Sequence, residues 1–168
     1  GIGPEIIVKA AEMLRERIRG LESKIVEMIR NGQENVAIAD RLHRWTRAIL
    51  LTRDAAALPG VMVSQLKHEF MIPQAAIRLW GTAGASAGEP WAAGVSDDAK
   101  AFANSLTQPY CGANPGVEAS RWLADPDRAA SLALMPLRRS PGSPAFGLLV
   151  LGSHEPQRFT PQMGTDFL

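Results

Sequence analysis

The side chains able to do chemistry in this sequence are few and scattered. His43, His68 and His154 lie far apart, and no Cys-x-x-Cys or His-Glu-x-x-His spacing accompanies them, so no ligand set is arranged for a metal. Cys111 is the single cysteine. Nothing beside it supplies a base, and a lone cysteine is more often a small buried hydrophobe than a nucleophile; a redox or hydrolytic role would need an exposed thiolate. Gly81-Thr82-Ala83-Gly84-Ala85-Ser86-Ala87-Gly88 has the small residues of a phosphate loop but runs into Glu89-Pro90 where a Lys-Ser/Thr end belongs, which leaves a flexible loop. Arg15, Arg17 and Arg19, then Arg41, Arg44 and Arg47, could meet nucleic-acid phosphates. Glu12, Glu16, Glu22 and Asp40 dilute that field, so a solvated helix face is expected and nucleic acid is disfavoured as a partner.

Arg78 is the better candidate. On a strand, Ala76, Arg78 and Trp80 project to one face and Ile77 and Leu79 to the other. The first face offers a guanidinium to an anion and an indole to a planar or apolar group. Trp91, Tyr110, Cys111 and Trp122, from the irregular middle of the chain, could wall such a site. The same residues also fit a small aromatic satellite core with Arg78 paired to an Asp or Glu. The expectation is an unidentified small ligand, with no cofactor, no metal and no catalytic residue.

The elements that must position these residues divide the chain near Arg53. Residues 1–53 carry 10 Lys/Arg against 7 Asp/Glu, and residues 54–168 carry 8 against 10, so the formal net charge of +1 conceals a basic segment and an acidic one. Of 12 prolines only Pro4 lies in the first segment, and Trp45 is its only aromatic residue. Ala11, Ile18, Ile25, Gly32, Ala39 and Thr46 fall at one heptad position, and Leu14, Leu21, Met28, Asn35, Leu42 and Ile49 at the other. As one helix this seam would span about 58 Å, too long for a small domain to cover, so a coiled-coil homodimer is expected through Leu14, Ile18, Leu21, Ile25, Met28, Asn35 and Leu42. In a parallel pair Arg17 would face Glu22 of the other copy. Gly32 and Asn35 soften the middle, and a helical hairpin turning at Asn31-Gly32 is the alternative.

The second segment reads as mixed α and β. A helix is expected over Asp54 to Phe70, a strand over Ala75 to Trp80, a loop over Gly81 to Pro90, and a helix over Ala99 to Leu106 capped by Ser96-Asp97-Asp98. Tyr110-Cys111 is a minimal strand and Val117 to Leu123 a short helix or turn. Ser131 to Leu137 and Ala145 to Leu151 flank a Pro/Gly/Ser-rich loop and should pair antiparallel. Thr160-Pro161 opens a further helix that appears cut short at Leu168.

This order resembles a GAF-type domain. Leu42-His43-Arg44-Trp45-Thr46, Ile77-Arg78-Leu79-Trp80, Cys111-Gly112, Leu134-Met135-Pro136-Leu137, Phe146 to Ser153 and Phe159 to Leu168 together resemble an uncharacterised bacterial family, domain-of-unknown-function family four hundred eighty-four. The resemblance covers about Met13 to Leu168, and the Met-Gly-Thr-Asp-Phe-Leu block is its most specific part. It implies an α+β fold in which a long N-terminal coiled-coil helix, residues 1–53, precedes a GAF-like domain, residues 54–168, whose antiparallel sheet carries helices on one face. By analogy with GAF domains it implies a ligand-sensing or regulatory role. The bilin-attachment and Asn-Lys-Phe-Asp-Glu signatures of better-known GAF domains are not recognisable. Residues 1–12 are atypical: Gly1-Ile2-Gly3-Pro4-Glu5-Ile6-Ile7 resembles the loop of β-decarboxylating NAD-dependent dehydrogenases, but their downstream catalytic Lys, Tyr and Asp segments have no counterpart.

Length and composition set the outer bounds. The 168 residues, 46% hydrophobic and 21% charged, suit one globular domain with an appendage. No run of about 18 apolar residues and no signal-peptide layout occur, so a cytoplasmic protein off the membrane is expected. A protein-interaction adaptor without a ligand, and less favourably a Cys111-dependent redox or hydrolytic enzyme, are the alternatives to the sensor reading.

Overall fold

Proline at the start of a helix removes a backbone N–H that would have no partner there, and Pro4 opens the first one. In the computed structural model, which describes residues 3–81 and 88–162, α1 runs over Pro4–Leu51. Asn31-Gly32 lies inside it, so the chain does not adopt the hairpin alternative. No residue of α1 is buried. Leu14, Ile18, Leu21, Ile25 and Met28 are each between 52% and 72% exposed, Asn35 is exposed, and Leu42 is half-buried. Among the described residues, no helix is long and apolar enough to cross a membrane.

The chain forms two compact units, Gly1–His43 and Arg44–Leu168. The last two turns of α1 therefore belong to the second unit, although composition changes only near Arg53. Trp45 is the physical reason. Its indole packs against the domain core and its N–H donates to the Met62 carbonyl at 3.0 Å. Beside it, Arg44 pairs with Glu69 at 2.9 Å.

In this second unit α2 spans Leu58–Phe70. It starts later than Asp54 because the Asp54 carboxylate accepts from the Ala56 N–H at 3.0 Å and holds the preceding residues in a turn. Left-handed Met71 (φ 50°) ends it, and the Ile72 N–H reaches back to the Lys67 carbonyl at 3.1 Å. There follow β1 (Gln74–Leu79), α3 (Asp97–Ser105), β2 (Tyr110–Ala113), β3 (Ser131–Arg138) and β4 (Ala145–Ser153). Short 3-10 turns occupy Pro90–Ala92, Glu118–Trp122 and Pro126–Arg128. The helix expected after Thr160-Pro161 lies largely outside the described residues, as does most of the Gly81 to Gly88 loop.

The strands make one antiparallel sheet in the order β1-β4-β3-β2. The fold is thus α+β, with a four-stranded antiparallel sheet preceded by a long helix. The two central strands, β3 and β4, are buried along most of their length on both sides, which explains their near-continuous apolar sequences. One face gathers Ile77, Cys111, Ala133, Met135, Leu149 and Leu151 beneath Trp45, Leu66 of α2 and Trp91. The other gathers Ala76, Leu132, Leu134, Leu148 and Val150 beneath Ala103 of α3 and Ala119 and Leu123. α2 and the Trp45 end of α1 thus lie with one face, while the second face is covered by the nine-residue α3 and 3-10 turns. Gly147 of β4 is required by close packing: a Cβ there would stand 2.5 Å from a Leu79 methyl and 2.9 Å from the Arg78 carbonyl oxygen.

Candidate functional site

Strand parity fixes where Arg78 points. It pairs with Leu148 in the β1/β4 ladder and projects with Ala76 to the face covered by α3 and the 3-10 turns. Its guanidinium carbon stands 5.6 Å from the centre of the Trp122 ring, a cation–π distance. One terminal nitrogen donates to the Ile77 carbonyl at 3.3 Å. The inner nitrogen, Nε, is buried and has no hydrogen-bond partner among the described residues. The ion pairs among the described residues are Arg44–Glu69, Lys100–Asp97 and Arg128–Asp125, so Arg78 lacks the acidic partner of a satellite-core arrangement. Burial pushes its pKa below the ordinary arginine value, because desolvation disfavours the charged form.

Three further expected residues share this face. Trp80 donates its indole N–H to the Ala145 carbonyl at 2.8 Å, the Tyr110 hydroxyl donates to the Ala113 carbonyl at 2.6 Å, and Trp122 lies under Arg78. All three are half-buried hydrophobics packed against the core of this side. Trp91 and Cys111 do not join them. Trp91 is on a 3-10 turn, buried on the opposite face, with its indole N–H donating to the Ala56 carbonyl at 3.0 Å. Cys111 is buried on that same opposite face, and burial pushes its thiol pKa up, away from what a nucleophile needs. Of the six, the structure brings Arg78, Trp80, Tyr110 and Trp122 to one face and leaves Trp91 and Cys111 on the other. The Tyr110-Cys111 pair carried the signal: neighbours on a strand point to opposite sides.

The turn that bears Trp122 is tied down by Ser96 and Glu118. Ser96 caps α3 by accepting from the Ala99 N–H at 3.1 Å, as the Ser-Asp-Asp sequence indicates. Its hydroxyl also donates to Glu118, the first residue of that turn, and its backbone N–H donates to the same carboxylate at 3.2 Å. The Ser96 hydroxyl, then its backbone N–H, and then the charge of Arg121 hold the Glu118 carboxyl below its usual range. Glu118 lies 22 residues from Ser96, so local patterning gives no hint of the pairing.

A separate open cleft of about 370 Å³ lies at the other end of β1, lined by Pro73, Gln74, Ala124, Asp125, Arg128 and His154. None of the six expected residues lines it. The Gln74 amide is already used, donating to the Asp125 carbonyl at 2.7 Å and accepting from the Asp125 N–H at 2.8 Å.

Comparison with known proteins gives one family. A family model described as "Protein of unknown function, DUF484" matches residues 7–168. The match begins six residues before Met13, so only residues 1–6 of the atypical N-terminal segment fall outside it. Among solved structures, the fold is similar to the GAF domain of a candidate sensor histidine kinase from Pseudomonas syringae pv. tomato, at 16% identity, TM-score 0.48 and 75% coverage of each chain. No curated protein matches the sequence.

Proposed function

We propose that this chain, which belongs to the DUF484 family of proteins of unknown function, is a non-catalytic regulatory module. It binds an anionic small molecule at the Arg78–Trp122 face and pairs with a second copy through α1. The observation that carries the ligand reading is Arg78 itself. Among the described residues its buried Nε has no partner and no carboxylate pairs with it, and its cation stacks on an indole. An unpaired buried donor is destabilising by about 1–3 kcal/mol, more when charged, and an arriving acceptor would relieve that cost. An anion fits the guanidinium through its oxygens, and the guanidinium keeps its stack on the indole.

The dimer reading is supported by the uncovered stripe from Leu14 to Met28, since burying each such side chain is worth roughly 1.5–3 kcal/mol. Regulation follows if the ligand has different affinities for two arrangements of the paired modules; equal affinity would shift nothing.

Thermal denaturation across a panel of carboxylates, phosphate esters and nucleotides tests the site. At least one anion should raise the Tm of the wild type and leave Arg78→Leu unmoved. Without ligand, Arg78→Leu should melt at the same temperature or higher, because an apolar replacement of a desolvated cation is often neutral or stabilising. A flat response across the panel, with Arg78→Leu less stable than wild type, would make Arg78 a structural residue and favour the ligand-free adaptor. Light scattering at micromolar concentration should give twice the chain mass; a monomer would sink the dimer reading.

A further inference from the structure

We infer that the dimer seam on α1 is not one continuous heptad but shifts by a stutter at Ile29, so that Ile29 and Val36 take the places of Met28 and Asn35 at the interface with a second, parallel copy. This inference rests on the dimer reading above. Up to Ile25 the uncovered apolar residues alternate by three and four: Leu14, Ile18, Leu21, Ile25. Continuing that heptad past Met28 leads to Asn35, which is polar, and Leu42, which is half-buried within its own chain and only partly available to a partner. One residue further on, Ile29 is 57% exposed and Val36 62% exposed. The exposed stripe therefore steps from Ile18 to Ile29 through spacings of three, four and four, which is an 11-residue unit in place of a heptad. From Ile29 the regular spacing resumes through Gly32, Val36, Ala39 and His43. Further along the sequence the same spacing reaches Leu50, exposed, next to Ile49, half-buried.

The occupant is argued from residue type and charge. Before the step Ile18 and Ile25 hold the a positions and Leu14 and Leu21 the d positions; after it Ile29 and Val36 hold a. β-Branched residues at a with Leu at d favour two parallel strands. In that arrangement Arg17 at g meets the partner's Glu22 at e, an attractive pair on each side of the seam. An inserted four-residue step locally unwinds a left-handed supercoil, so the pair should run nearly straight around residues 18–29.

Single-cysteine variants of the whole chain, in a Cys111→Ala background, test the seam by oxidative crosslinking, with light scattering on the same samples. Leu21→Cys and Val36→Cys should form interchain disulfides about tenfold faster than Asn35→Cys. Because Cys111 is in the core, a second measurement leaves it in place: Val36→Asp should dissociate the dimer and Asn35→Asp should not. A dimer that crosslinks at 35 and 42 but not at 36 would overturn the stutter and leave the dimer standing. A dimer silent at both 21 and 36 would overturn the parallel pairing. A monomer in the unsubstituted chain would remove the dimer reading itself, and this inference with it.

Discussion

Single residues decide how the elements end and how the Trp122 turn is held. Met71 sits in left-handed backbone at φ 50°, a conformation that penalises a side chain by roughly 1–2 kcal/mol, and it is 73% exposed, so little packing compensates. Met71→Gly should raise the midpoint of urea denaturation by an amount equivalent to about 0.5–1 kcal/mol, the strain relieved less the greater chain entropy of glycine. Glu118 carries a pH signature. Its carboxyl is held low in the fold, chiefly by the Ser96 hydroxyl, so its contribution is complete above the unfolded-state pKa and disappears as pH falls through the lower folded value. Glu118→Gln should therefore be less stable than wild type at neutral pH, and the gap should narrow steadily on acidification when melting is followed from pH 7 downward. The Ser96 cap was legible because its acceptor role is local. Its bond to Glu118 was not, since no short-range pattern encodes a contact across 22 residues.

Elements were legible wherever a period or a cap spoke for them. The β3/β4 hairpin follows from two apolar runs flanking a Pro/Gly/Ser-rich loop, β1 from a short apolar run after Pro73 and α3 from its Ser-Asp-Asp start, and Arg78 lies where strand parity puts it. The irregular middle obeys no period, so nothing in the sequence tells that Trp91, on a 3-10 turn, faces the opposite side of the sheet from Arg78. Arg138 illustrates a different kind of blindness. From the end of β3 its guanidinium donates to the carbonyls of Ala103 at 3.2 Å, Asn104 at 2.9 Å and Leu106 at 2.9 Å, and also to the Ser143 carbonyl. It thereby serves the C-terminal end of α3, where carbonyls lack intrahelical partners and positive charge is favoured. In sequence it is one arginine of an Arg-Arg pair before a loop. Arg138→Met, which keeps much of the apolar stem, should destabilise the domain by about 1–3 kcal/mol in chemical denaturation. Hydrogen exchange should rise first in α3, while an unchanged α3 would assign Arg138 no role there.

At the scale of the whole molecule, the charge division read from composition does not follow the two compact units: Gly1–His43 carries 7 Lys/Arg against 7 Asp/Glu, because Arg44, Arg47 and Arg53 fall in the second unit, where Trp45 packs. The exposed stripe on α1 predicts that association and domain folding can be separated. Leu21→Asp should convert a dimer to a monomer by light scattering, while the melting of the sheet domain, followed by tryptophan fluorescence, moves by less than about 1 kcal/mol, because residue 21 belongs to no core cluster. Strand order carries a last consequence. Among the described residues the one sheet neighbour of β1 is β4, and Ala76 must find Val150, 74 positions further along the sequence. On the ribosome, β1 leaves the exit tunnel long before its partner has been translated, with one strand edge and two apolar faces unprotected. Nascent chains are thus open to chaperones and to one another until the final strand emerges, a vulnerability belonging to synthesis and absent from the finished protein.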